Sequence, residues 1–178
     1  MNKTTWSIDQ AHSEIGFKVK HMMVSNVYGR FLWFEGDANI DEDNFENSTF
    51  TFSADIASVD SGNPDRDVHI QSPDFFDSVH YPKMTFKSTS IGRVDDENFT
   101  VTGDLTIKDI TKPVTLSVEY SGLSMVDPWG NTKRGLSANG KINREDWGLT
   151  WNSALEAGGV LVGKEVTLSL DVQFVKQN

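Results

Sequence analysis

The strongest constraint on this sequence is a two-residue hydrophobic period that recurs along most of its length. Phe99, Val101, Gly103, Leu105 and Ile107 alternate with polar residues, and so do Val114, Leu116, Val118 and Tyr120. The same rhythm runs through Ile15, Phe17 and Val19, through Phe50, Phe52, Ala54 and Ile56, and through Met84 and Phe86. It returns in Leu136, Ala138, Gly140 and Ile142, and in Val166, Leu168, Leu170, Val172 and Phe174. Successive side chains of a strand point to opposite faces, so this pattern buries one face and wets the other. With Gly29 to Ile40 added, it predicts about eight strands. The connections DEDNFEN, VDDEN and KDITK are short, polar and rich in turn formers. Consecutive antiparallel strands with one apolar face make an up-and-down barrel or a sandwich. No internal repeat or linker divides residues 1–178, which read as a single domain.

Small residues punctuate the apolar face: Gly36, Ala38, Ala54, Gly103, Ala138 and Gly140. Beside Phe17, Phe52, Phe86 and Leu105 they either leave a lumen or fit the taper of a filled barrel. If there is a lumen, Gly103→Phe or Ala138→Phe is expected to reduce the bound guest.

Charge narrows the partners. Sixteen basic against 26 acidic side chains give −10, which argues against nucleic acid or an anionic membrane as the main partner. No apolar run is long enough for a spanning helix, so no stable membrane insertion is expected. The start MNKTTWSID has no apolar signal-like region, and the expected location is the cytoplasm. The chain has no cysteine, hence no disulfide or thiolate chemistry.

The densest chemistry is DRDVHIQSPDFFD, Asp65 to Asp77. Asn63-Pro64 is a helix start, and Asp65 and Asp67 in the first turn suit the positive end of its dipole. Ser72-Pro73-Asp74 repeats the signal for a second short helix. Asp65 and His69, at i and i+4, share a helix face, with Asp77 and His80 nearby, but no established metal motif frames them. No metal or cofactor is expected. Arg66 is expected to bond a nearby carboxylate or carbonyl. Val68, Ile70, Phe75 and Phe76 make the connection amphipathic, a lid with those four side chains turned inward.

Other candidates are weaker. His12 and Ser13 are adjacent, so on a strand they face opposite ways. The acids Asp41, Glu42, Asp43, Asp95, Asp96 and Glu97 fall in turns and read as solvated. Arg144, Glu145 and Asp146 form a charged turn that can pair internally. In WGLTWNSALEAGG, Trp147 and Trp151 either close the core or line a cavity entrance.

Taken together, WSIDQAHSEIGFKVKHMMVSNVYGRF, DRDVHIQSPDFFD, YPKMTFKSTSI, GDLTIKDITKPVTL, INREDWGLTWN and VGKEVTLSLDV resemble the YceI-like proteins, in order and spacing. That family is a lipocalin-like group associated with polyisoprenoid binding. The resemblance implies an all-β, eight-stranded antiparallel barrel with short helical connections over one end. It implies a long-chain isoprenoid or related lipid in the lumen, no catalytic residue, and a homodimer. The expected apolar lining is Phe17, Val19, Phe34, Phe52, Phe76, Met84, Phe86, Leu105, Leu116, Trp147, Trp151 and Leu168. His21, Arg66 and Arg144 are the candidates for a lipid headgroup. Asp109 stands where the family's hairpin commonly has glycine, and aspartate tolerates that geometry. Two rival readings are an enzyme on an isoprenoid-like substrate, using His21 or the Asp65/His69 pair, and a structural barrel with a filled core.

Overall fold

The computed structural model describes residues 2–178. Its strands are β1 (Lys3–Ile8), β2 (Glu14–His21), β3 (Ser25–Phe31), β4 (Phe34–Asp41), β5 (Thr49–Asp55) and β6 (Val59–Asp60). After the helix α1 (Pro64–Gln71) come β7 (Lys83–Arg93), β8 (Asn98–Ile107), β9 (Ile110–Glu119), β10 (Met125–Val126), β11 (Thr132–Asn143) and β12 (Val162–Lys176). Among the described residues, no helix is long and apolar enough to cross a membrane.

These strands assemble into a closed eight-stranded antiparallel barrel. The first three staves are each broken in two. β1 and β2 pair in succession with β12, β4 and β3 pair with them in turn, and β5 and β6 follow on the next stave. β7, β8, β9, β11 and β12 complete the circuit, and β10 is a short flap on β11. The expected single strand from Gly29 to Ile40 is therefore two. The reason lies in the phase of the pattern. Phe31 and Phe34 are both buried, yet they sit an odd number apart, so a continuous strand would turn one outward. A break at Leu32–Trp33 resets the phase. Matching breaks occur at the 3-10 turns Gln10–His12 and Ile56–Ser58. The three are tied side by side: Gln10 Nε2 donates to Leu32 O at 2.7 Å, and Leu32 N to Ser58 O at 3.1 Å.

One end is packed solid. The Phe45 ring lies 4.2 Å from Tyr120 and 4.5 Å from Phe99, centroid to centroid. Arg134 sits 4.7 Å over the Trp6 ring, pairs with Glu42 at 2.8 Å and donates to the Tyr120 hydroxyl at 2.9 Å. Burial pushes the Glu42 carboxyl up, but the hydrogen bonds from Thr4 and Arg134 and the guanidinium charge hold it below its ordinary value. Asp41, expected in a solvated turn, is only 3% exposed. It accepts from Asn44 N and Asp43 N, which lower its pKa and fix the floor loop.

At the other end α1 forms as its start signal predicts. Asn63 Oδ1 accepts from Arg66 N, and Pro64 opens the first turn. The second helix expected at Ser72–Asp74 does not form. Asp77 N donates to Ser72 O at 2.9 Å and Asp77 has φ +51°, which ends the coil after one turn.

Candidate functional site

Above the floor lies a slot of about 330 Å³ running along the barrel axis. Its lining is almost wholly apolar. Phe17, Val19, Phe52, Phe76, Met84, Phe86, Leu105, Leu116, Trp151 and Leu168 all contribute to it, as do His21, Arg66 and Arg144. Phe34 and Trp147, expected among them, do not. Phe34 lies at the stave break and packs into the wall, 6.2 Å from Phe52. Trp147 is 2% exposed, with its indole Nε1 donating to Leu105 O at 2.9 Å, so it belongs to the core. The two alternatives weighed for the tryptophans are thus divided: Trp147 closes the core and Trp151 faces the slot. Phe31, Phe50 and Phe174, outside the expected lining, also border the slot. Their signal was the same alternation, which marks the inner face but not which inner residues border space.

The glycines among the small residues do not create the lumen. A Cβ on Gly103 would lie 2.3 Å from Phe86 Cζ and 2.6 Å from Lys87 O, and one on Gly29 would lie 2.3 Å from Phe17 Cζ. These glycines let neighbouring rings lie flat against the wall. Gly103→Phe would therefore break packing rather than block the slot. Ala138 does line the slot and remains the useful position.

The lid is α1 and the turns after it. Arg66, His69 and Ile70 line the slot, joined by Phe75 and Phe76. Val68, expected inward, is 68% exposed: at 100° per residue it falls on the face opposite Arg66, His69 and Ile70. The Phe76 ring meets Phe31 edge-on at 6.2 Å. His69 stands edge-on to Trp151 at 4.6 Å and to Phe75 at 5.1 Å. Its Nε2 lies 2.9 Å from Asp74, which takes the place expected of Asp65. His80 pairs with Asp77 at 3.0 Å. Among the described residues no three His, Cys, Asp or Glu side chains converge as a metal set would.

The two arginines differ. Arg66 donates from Nε to Ser61 Oγ at 2.9 Å and from Nη2 to Ser61 O at 2.7 Å, while remaining partly exposed at the mouth. Arg144 is 3% exposed, and Glu145 and Asp146 do not pair with it as expected. Its guanidinium instead donates to Gly163 O at 2.8 Å, Trp151 O at 3.0 Å, Val162 O at 3.2 Å and Leu149 O. Burial pushes its pKa down, and the nearby Glu145 charge opposes that. Arg144 thereby clamps the segment that returns from Trp147 to β12. His21, the last residue of β2, sits at the rim.

His12 and Ser13 do not meet as a nucleophile and base. His12 Nδ1 lies 2.8 Å from Asp9, and Ser13 Oγ accepts from Gln173 N. The site offers a long apolar surface with polar groups at one end.

A family model described as the YceI-like domain matches residues 6–174. A UPF0312 protein of Staphylococcus epidermidis is 41% identical over 177 residues, covering 98% of this chain and 99% of its own length. The crystal structure of a Campylobacter jejuni YCEI protein aligns with a TM-score of 0.75 at 34% identity, over 96% of both chains. A polyisoprenoid binding domain from Saccharophagus degradans, implicated in plant cell wall breakdown, aligns with a TM-score of 0.67 over 98% of this chain and 99% of its own. At 14% identity it shares the fold.

Proposed function

The chain belongs to the YceI-like family, and on that footing we propose that it binds the hydrocarbon chain of a long isoprenoid, a polyprenyl lipid or isoprenoid quinone, or a similar amphiphile. Binding is non-enzymatic and serves carriage, storage or sensing. The observation that carries this reading is the apolar slot, stopped by an aromatic floor at one end and roofed by α1 at the other. Burying about ten methylenes is worth ~8 kcal/mol gross, roughly micromolar before ordering costs. Such a slot needs no polar contact for affinity, so its selectivity among chains is low. The lipid's polar end lies at the mouth, against Arg66 and His21. Arg144 has its donors committed to carbonyls and contributes charge through the wall. The family resemblance extends the proposal to a homodimer.

Mass spectrometry of an organic extract, with native mass of the intact complex, tests the reading. A stoichiometric isoprenoid is expected. Ala138→Phe, which places a ring in the slot, is expected to lower that load several-fold in a folded protein. A clean apo mass that stays unchanged after incubation with polyprenyl lipids would overturn the proposal.

A further inference from the structure

We propose that the β2–β3 hairpin is a docking tip through which the slot meets an anionic lipid bilayer. The inference rests on the lipid-binding reading above and adds where the cargo is exchanged.

The turn is anomalous in composition. Val24 N donates to His21 O at 3.2 Å across Met22 and Met23, whose φ angles are +51° and +61°. Two consecutive left-handed residues are the mark of a type I′ turn, which favours Asn-Gly and strains other side chains. The β8–β9 turn has matching φ signs, and there Lys108 and Asp109 put polar groups into water. In the β2–β3 turn the strained positions carry methionines 48% and 62% exposed, followed by Val24 at 81%. Neither turn propensity nor solubility accounts for this choice.

The tip is continuous with the slot. His21 and Leu161 both line the cavity, and Met22 N donates to Leu161 O at 2.7 Å. Met23 lies against Gly159, beside the exposed Val160. An apolar track therefore runs from the slot over the rim to the tip. Another exposed apolar group, around Trp129 at the floor end, contributes no residue to the slot.

Charge behind the tip supplies the partner. Lys18 and Lys20 of β2 are exposed, Lys20 where it also borders the slot's rim, and no ion pair engages them among the described residues. Lys164 on the neighbouring β12 and Lys141 on β11 beyond it do have partners, Glu145 at 3.6 Å and Glu165 at 3.5 Å. Tyr28, paired across from Lys18, is exposed. At the rise of a strand, Lys18 and Tyr28 stand roughly 10–13 Å behind the tip. An apolar tip, then Lys20, then Lys18 level with the Tyr28 ring is an order that matches acyl chains below a layer of phosphates and headgroups. The lid side of the mouth carries Asp65, Asp67 and Asp74, so the molecule docks with its hairpin side down. The net charge of −10 opposes approach and makes docking weak and salt-sensitive.

Flotation with phosphatidylcholine vesicles containing phosphatidylglycerol tests this, with pure phosphatidylcholine alongside. The wild type is expected to float with the anionic vesicles at low ionic strength and to be released by salt. The double substitution Met22→Asn, Met23→Gly installs the residues that the turn prefers, so the variant folds. It is expected to lose at least about tenfold in vesicle affinity, since the methionines' apolar surface is gone. Isoprenoid transfer from vesicles should slow in parallel, with the amount bound at equilibrium unchanged. Equal flotation of variant and wild type overturns the inference. So does a wild type that stays unbound, including one whose tip pairs two copies in a dimer that the substitution breaks. A protein that docks through the tip yet never takes up lipid refutes the function proposed above while leaving the docking tip standing.

Discussion

The two ends of this barrel are built on opposite principles. The floor packs its aromatic residues on one another: Phe45 stacks on Tyr120 and meets Phe99 edge-on, and Arg134 bridges Trp6, Glu42 and the Tyr120 hydroxyl. The mouth aims its aromatic residues, Phe75, Phe76 and Trp151, at empty space and ties its polar groups to backbone carbonyls and near neighbours. Interdigitated side chains gain dispersion on every side, whereas a ring facing a void forfeits it on one. The difference teaches that the floor holds the barrel shut, while the mouth contributes less packing to its stability.

The comparison breaks most sharply at the floor. Trp6→Ala removes a ring that is 1% exposed and is expected to cost ~3–5 kcal/mol, read by denaturant unfolding. A loss below about 1 kcal/mol would mean that the floor is not the stable end. Phe75→Ala at the mouth removes a half-buried ring beside the void. It is expected to cost less, ~1–2 kcal/mol, while bound lipid dissociates several-fold faster in a chase experiment. Unchanged dissociation would deny the lid a gating part. The smallest effect is electrostatic. Glu42 and Asp9 are both held below their ordinary values, Glu42 by Thr4 and Arg134, Asp9 by Lys133 and His12, in each case against burial. Lowered carboxylates add stability that is present above their unfolded values near pH ~4 and is lost as pH falls through the folded values. The thermal midpoint is therefore expected to drop below about pH 4, and Glu42→Gln to flatten part of that drop.

How much of this was legible follows from what each signal encodes. Alternation encodes which way a side chain points, so the barrel and its inner face could be read from Phe99 to Ile107 and from Val166 to Phe174. It does not encode whether an inward side chain meets another or meets space, which is why Phe34 and Trp147 were placed in the lining. The broken staves were present as an odd spacing between Phe31 and Phe34, but the spacing has meaning only once both are known to be buried. The glycines misled for a related reason: Gly103 looks like room, and the structure fills that room with Phe86. Charge misled at Arg144, where adjacent acids suggested an ion pair and carbonyls from Leu149 to Gly163 supply the partners. The helix start at Asn63-Pro64 was readable because capping is local; the failure of a second helix depends on Asp77, five residues beyond its apparent start.

The closing strand sets a condition on how the molecule comes into being. β12 is the last stave to be synthesised, and it pairs with β11 along one edge and with β2 and β1 along the other. Until it has left the ribosome, the nascent sheet is open along two edges and its hydrocarbon-facing residues have no enclosure. No guest can be wrapped during translation. On the proposed function, the guest is taken up by the finished molecule.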